Sequence, residues 1–288
     1  MVSDKPSRTA MATALMRSLH TRADPKPLIE DAWGEKLLPQ ARAAYEARAK
    51  EGGVDADAIM HASPAYANVI LRSRFAEDAL AAACARGVTQ YVLIGAGFDS
   101  FALRQPKGGG ELTIFEVDHP TTQIYKLQRL AACAITAPVN VLFLGADLGV
   151  KRLGDVLAEA AFDTSSPAFF SWLGVTMYLT REANLATFRE IARIGAKGSE
   201  LVFTYSDLQR FNTPRSPAAQ RMRDHVAMVG EPYICGFEPA MMAEELAVCG
   251  LTLVEDSGVP ELLARYDPEG VNGLKPESYS RIARARVG

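Results

Sequence analysis

Gln90-Tyr-Val-Leu-Ile-Gly-Ala-Gly-Phe-Asp99, followed by Thr113-Ile-Phe-Glu-Val-Asp118, decides the fold. The first run is apolar and β-prone, and it stops in Gly95-Ala96-Gly97. A strand ending in two glycines turns tightly and brings bare backbone against a ligand, with no Cβ in the way. The second run is another buried strand, ending in the carboxylates Glu116 and Asp118. An acid about 20 residues beyond such glycines is the usual holder of ribose hydroxyls. Together the two runs predict a site for a nucleoside-containing cofactor.

Outward from this pair, strands are expected near 90–95, 112–117, 139–144, 167–175, 200–205, 251–255 and 281–287. Helices are expected between them at 121–134, 151–160, 181–194 and 239–249. The alternation argues for an α/β fold with a parallel, doubly wound sheet covered on both faces. Residues 1–88 read as mostly helical, over Thr9 to Leu19, Leu37 to Lys50 and Ala65 to Arg86. The last of these carries Val69, Phe75 and Leu80 at helical spacing and stops at Gly87. A helical N-terminal cap over 1–88 and a cofactor-binding domain over 89–288 are therefore expected. Residues 206–236 carry Pro214, Pro217 and Pro232 and break the rhythm. They are read as a lid insertion over the carboxyl ends of the strands, where ligands bind in such sheets.

Composition narrows the function classes. The chain has 288 residues, 48% hydrophobic and 23% charged, as ordinary soluble globular proteins do. Its net charge of −3 and scattered basic residues leave no footprint for nucleic acid. No apolar run approaches the roughly 18 residues of a membrane span. The polar start, Met1 to Thr9, has no apolar core of a signal peptide. Cys84, Cys133, Cys235 and Cys249 show no CxxC spacing. Free thiols in a reducing, cytoplasmic setting are expected rather than a disulfide framework or a metal site.

The glycine loop, Gly95-Ala-Gly97-Phe-Asp-Ser100, lacks the third glycine of a dinucleotide fingerprint. A further strand, Leu142-Phe-Leu-Gly-Ala-Asp147-Leu148, ends in an acid. Its carboxylate suits the exocyclic amine of an adenine, with Leu148 as an apolar face. The competing reading is a cap for the helix starting near Gly149.

These residues carry a family resemblance. Arg72-Ser-Arg74-Phe75, Val92-Leu-Ile-Gly-Ala-Gly-Phe-Asp-Ser-Phe-Ala-Leu-Arg104 and Phe115-Glu-Val-Asp-His-Pro120 with Lys126 stand in order. Ala146-Asp-Leu148, Trp172-Leu-Gly-Val-Thr-Met-Tyr-Leu-Thr180, Gly230-Glu-Pro-Tyr233 and Phe237-Glu-Pro239 follow. The chain resembles the leucine carboxyl methyltransferase family of S-adenosylmethionine-dependent enzymes. The nearest branch holds bacterial methyltransferases, including O-methyltransferases of polyketide-type secondary metabolites.

The resemblance implies a class I methyltransferase sheet, Rossmann-like, with a helical cap. It implies that Gly95, Ala96 and Gly97 face the methionine part of S-adenosyl-L-methionine, that Asp118 or Glu116 takes the ribose, and that Asp147 with Leu148 takes the adenine. Arg74 matches the arginine that holds the cofactor carboxylate, a bidentate task for a planar guanidinium. The alternative for Arg74 is a surface ion pair with Glu77 or Asp78. One departure stands out: where many relatives carry a glutamate after the fourth strand, this chain has Trp172 and Leu173. Trp172 then either packs on the adenosine or fills the core.

Methyl transfer from a sulfonium is an in-line displacement, for which the protein mainly aligns the reactants and excludes water. A carboxylate acceptor needs no base, whereas a hydroxyl needs one. His225, Tyr205 and Tyr178 are the polar catalytic candidates, while His119 is read as structural. The expected reaction is O-methylation of a carboxylate or hydroxyl on a small molecule. The rivals are a nicotinamide-dependent oxidoreductase, disfavoured by the missing third glycine and the lack of a TyrxxxLys pair, and a non-catalytic cofactor-binding protein on the same fold.

Overall fold

The structure, a computed structural model, describes residues 6–105, 112–209, 220, 232–276 and 279–288. Helices α1 (Arg8–Ala23), α2 (Trp33–Leu37), α3 (Pro39–Glu51), α4 (Ala56–His61) and α5 (Tyr66–Cys84) precede the first strand. Then come β1 (Gln90–Ile94), α6 (Phe101–Arg104), β2 (Thr113–Asp118), α7 (Pro120–Ala132) and β3 (Val141–Gly145). Next are α8 (Leu153–Glu159), β4 (Ala168–Trp172), a 3-10 turn at Thr176–Tyr178, α9 (Arg181–Ile194) and β5 (Glu200–Ser206). The chain continues through α10 (Met242–Ala247), β6 (Leu251–Gly258), α11 (Val259–Tyr266) and β7 (Ser280–Val287).

Local chemistry sets the boundaries. Thr180 caps α9 by accepting the Ala183 N–H, and Asp55 caps α4 by accepting the Ala58 N–H. Pro120 opens α7 directly after His119, where a missing N–H costs nothing. Every residue of β1, β4 and β5 is buried, as apolar strands covered on both faces must be.

The strands form one sheet in the order β3-β2-β1-β4-β5-β7-β6. β1, β2, β3, β4 and β5 pair in parallel, but β7 runs antiparallel to both β5 and β6. The expected parallel, doubly wound sheet holds from β1 to β5, and β7 departs from it. β7 begins at the edge where β6 stops, so α11 is not a crossover between parallel neighbours. Alternation along β4 feeds two cores: Phe169 joins α1, α5 and α11 on one face, and Phe170 joins α8, α9 and α10 on the other.

β1 has β2 on one side and β4 on the other, so the strand order reverses there. The crevice at the carboxyl ends of such a switch point is where open α/β sheets bind ligands. The expected lid lies mostly outside the described residues. Of its flanks, Asp207 bridges Phe237, and the Ile234 N–H donates to the Met177 carbonyl at 2.8 Å. Among the described residues no helix is long and apolar enough to cross a membrane.

Candidate active site

A cavity of about 260 Å³ opens at this switch point. It has room for far more than a few waters at ~30 Å³ each. Its floor is the turn after β1, where Gly95 and Gly97 adopt left-handed φ values of 70° and 53°. A Cβ on Gly95 would run into the Val175 side chain, and one on Gly97 would fall 2.9 Å from the Ala10 Cβ. Both backbone hand and space require glycine here. Ala96 and Leu173 also line the cavity.

Asp118 closes β2 beside that turn. Its carboxylate accepts the Gly97 N–H on one oxygen and the His119 N–H, at 2.6 Å, on the other. Burial pushes Asp118 above the ordinary aspartate range, and those two N–H groups pull partly back. Glu116, two residues earlier on the same strand face, does a different job. It is buried against the Lys126 ammonium at 2.5 Å and stands outside the cavity lining. Burial holds its carboxyl above the usual range despite that cation. Lys126 also donates to the Asp99 carbonyl at 2.6 Å, tying β2 to the glycine loop.

The facing wall comes from α5. The Arg72 guanidinium reaches into the cavity, where its Nη1 lies 2.7 Å from the position a Cβ on Gly174 would take. No carboxylate pairs with it among the described residues. Burial first, and then the neighbouring Arg17 charge, lower its pKa to about 10, so it remains a cation at neutral pH. A half-buried cation without a carboxylate partner invites an anionic ligand group. Arg17 also lines the cavity, but it is engaged: its Nε donates to Asp31 at 2.7 Å and its Nη2 to the Phe98 carbonyl at 2.8 Å.

Arg74, the arginine singled out from the sequence, is not brought to the cavity. It donates to Asp78 at 3.0 Å and to the Leu28 carbonyl at 3.0 Å, and it lies over the Tyr266 ring. Two residues along a helix turn the side chain by about 200°. Arg72 and Arg74 therefore face opposite ways, and the surface pairing with Asp78 is the one formed.

Other expected site residues also fall outside the lining. Asp147 accepts the Gly149 N–H at 2.9 Å in a turn and caps no helix, since α8 starts at Leu153 with Arg152 at its N-cap; Leu148 packs on the second core. Trp172 fills the core against Phe188, its Nε1 without a hydrogen-bond partner among the described residues. The Tyr205 hydroxyl is buried and donates to Asp256 at 2.7 Å, and burial raises its pKa. His119 accepts the Thr121 N–H at 3.3 Å as a helix cap. His225 lies outside the described residues. Tyr178 does line the cavity, its ring 5.2 Å from that of Tyr233. Asn68 and Ser171 line it too, and neither was foreseen. For Asn68 the signal was its spacing, one helical turn before Arg72.

The profile of the leucine carboxyl methyltransferase family matches residues 10–192 of this chain. The chain belongs to that family. Relatives agree. The protein YktD of Bacillus subtilis, named as an S-adenosyl-L-methionine-dependent methyltransferase, is 33% identical over 206 residues, covering 71% of this chain. The match spans 64% of YktD itself, just under two thirds of its length. A Mycolicibacterium gilvum protein with the same description is 28% identical, over 93% of this chain and 90% of its own. Among solved structures, a methyltransferase-type protein from Thermobifida fusca superposes with a TM-score of 0.60 at 18% identity. It covers 99% of this chain and 96% of its own, which shows the fold. The family assignment rests on the profile and on these relatives, and the superposition adds the fold.

The cavity suits that cofactor on its own geometry. It offers a cradle that only glycine can form, a carboxylate at the end of β2 for ribose hydroxyls, and the half-buried Arg72 guanidinium for an amino-acid carboxylate.

Proposed function

We propose that this family member methylates an oxygen, carboxylate or hydroxyl, of a small molecule. The observation that carries the reading is the half-buried Arg72, without a carboxylate partner among the described residues, lining one cavity with the Gly95–Gly97 turn and Asp118. Bound there, S-adenosylmethionine supplies a methyl carbon already activated by its sulfonium. In this reading Arg72 grips the cofactor carboxylate in place of Arg74, Asp118 accepts the ribose hydroxyls, and Gly95, Ala96 and Gly97 admit the chain between them. Asp147 and Leu148 remain our choice for the adenine only if the loop after β3 turns inward on binding.

The rest of the work is positioning. α1 and α5, within the proposed cap over 1–88, roof the cavity and keep water from the methyl group, and the proposed lid over 206–236 would add to that cover. A carboxylate acceptor is ionised at neutral pH and needs no proton removed. For a hydroxyl, Tyr178 is the candidate of the original three that lines the cavity. We place the reaction in the cytoplasm and in secondary metabolism; the four free cysteines fit a reducing compartment.

Titration calorimetry with S-adenosylhomocysteine tests the assignment. Arg72→Ala should weaken binding by about 10- to 100-fold, the worth of a charged hydrogen-bonded pair, while Arg74→Ala leaves it within twofold. Equal losses in the two variants would refute it. Release of S-adenosylhomocysteine with a panel of acids and phenols then tests the oxygen acceptor.

A further inference from the structure

The cavity continues beyond the residues assigned to the cofactor. α5 runs down to the start of β1, so residues earlier in α5 stand farther out from the carboxyl edge of the sheet. Asn68 is four residues before Arg72 on the same helix face, about 6 Å farther out at 1.5 Å per residue. It is only 6% exposed, it lines the cavity, and its side chain forms no hydrogen bond among the described residues. Its amide atoms nevertheless keep contact with the cavity, because they are absent from the fully enclosed unpaired atoms that include the Trp172 Nε1. Water in the cavity serves such an amide until a ligand takes its place, and only a ligand group that can pair with it displaces that water without loss. The amide is therefore poised for a ligand.

The walls beside it narrow the class of that ligand. Tyr178, Tyr233 and Tyr279 all line the cavity, with ring centroids 5.2 Å apart for the first pair and 6.3 Å for the second. Edge-to-face tyrosines present flat faces that favour another ring over a saturated body. We infer that Asn68 anchors the methyl acceptor, and that the acceptor is a small aryl oxygen acid, a phenol or aryl carboxylate, with its ring against Tyr178 and Tyr233. This rests on the methyl-transfer reading above and goes beyond it by naming the substrate class and the residue that seats it.

The test uses the full chain saturated with S-adenosylhomocysteine and titrated with 2-naphthoate, 2-naphthol and the saturated decahydro-2-naphthoate. The two aromatic probes should bind, and the saturated one should bind at least about fivefold more weakly. Asn68→Leu and the smaller Asn68→Ala should each weaken the aromatic probes about 10-fold while S-adenosylhomocysteine affinity stays within twofold, which also shows that they fold. Asn68→Asp should still take the naphthol and reject the naphthoate by like-charge repulsion, a split that a merely structural residue would not produce. The inference is overturned if the variants bind the probes as the unaltered protein does, if they lose S-adenosylhomocysteine in proportion, or if no aromatic probe binds. Failure of the unaltered protein to bind S-adenosylhomocysteine would instead bring down the underlying methyltransferase reading, and the inference with it.

Discussion

Lys126→Met removes the cation from one of the most enclosed ion pairs in the chain and gives a prediction with a built-in control. Lys126 and Glu116 are each 1% exposed, 2.5 Å apart, and the ammonium also serves the Asp99 carbonyl. Methionine keeps most of the volume but leaves Glu116 buried without a counter-charge. The carboxyl then escapes its penalty by taking a proton. Protonating a glutamate of ordinary pKa ~4.3 at pH 7 costs about 3.7 kcal/mol, at about 1.4 kcal/mol per unit. At pH 5 the same step costs only about 1 kcal/mol. The unsatisfied Asp99 carbonyl adds about 1–2 kcal/mol at either pH.

The variant should therefore lose about 5 kcal/mol at pH 7 and about 2 kcal/mol at pH 5. The sign follows from linkage: the variant's Glu116 holds a proton only when folded, so stability present below the unfolded pKa is lost as pH rises above it. Urea unfolding followed by circular dichroism at the two pH values reads the difference. A loss equal within about 0.5 kcal/mol at both would refute the reasoning, because a purely steric defect has no reason to titrate. Adding Glu116→Gln should bring the double variant to about 1–2 kcal/mol at both pH values.

Three further outcomes are expected. Asp118, pushed upward by burial, must be ionised to accept two ribose hydroxyls. Affinity for S-adenosylhomocysteine should then fall on acidification from a pH above the ordinary ~3.9, and calorimetry on Asp118→Asn should show that dependence gone. Asp31 is pushed up by burial but held below its usual range by Arg17, whose opposing pull prevails. Its stabilisation is full above the unfolded pKa of ~3.9 and lost as pH falls through the lower folded value, so Asp31→Asn should flatten the acid-unfolding profile below about pH 4. Tyr205→Phe removes a hydroxyl that donates to Asp256, which keeps its bond from Arg281 at 3.0 Å. It should cost about 1–2 kcal/mol in thermal or urea unfolding and leave S-adenosylhomocysteine binding unchanged.

What could be read from the residues alone follows the range of the forces involved. β1 and β2 were legible because apolar runs ending in glycine or acid are local patterns, and their ends fell within a residue or two. The direction of β7 was not, because side chains alternate with the same period in either sense. The helices at Trp33–Leu37, Ala56–His61 and Val259–Tyr266 went unforeseen, each being too short to show a helical period. In the site, Gly95, Gly97 and Asp118 announce themselves by backbone need and spacing. The choice between Arg72 and Arg74 turns on helix rotation. The sequence contains a clue, since Arg74 stands four residues from Asp78, an ordinary exposed-face pair, whereas Arg72 follows Asn68 and precedes the buried Ala76 at that interval. Glu116 misleads because an acid near a strand end looks alike whether it meets a ligand or Lys126.

The placement of β7 bears on how the chain reaches this form. β6 pairs with β7 alone, and β7 sits between β6 and β5. Until residues near 287 have emerged from the ribosome, β5 has a bare edge and β6 has no strand to join. Nascent chains of this protein would therefore carry a five-stranded intermediate with an exposed flank, a species inclined to associate with its own kind. Helix α9 already rests on β4 and β5 through Phe188, but Met242 and Leu246 of α10 would meanwhile lack Leu251 of β6 and Ala283 and Ala285 of β7 in the second core. Yield on expression should accordingly depend on holdase chaperones more than the finished protein's stability would suggest.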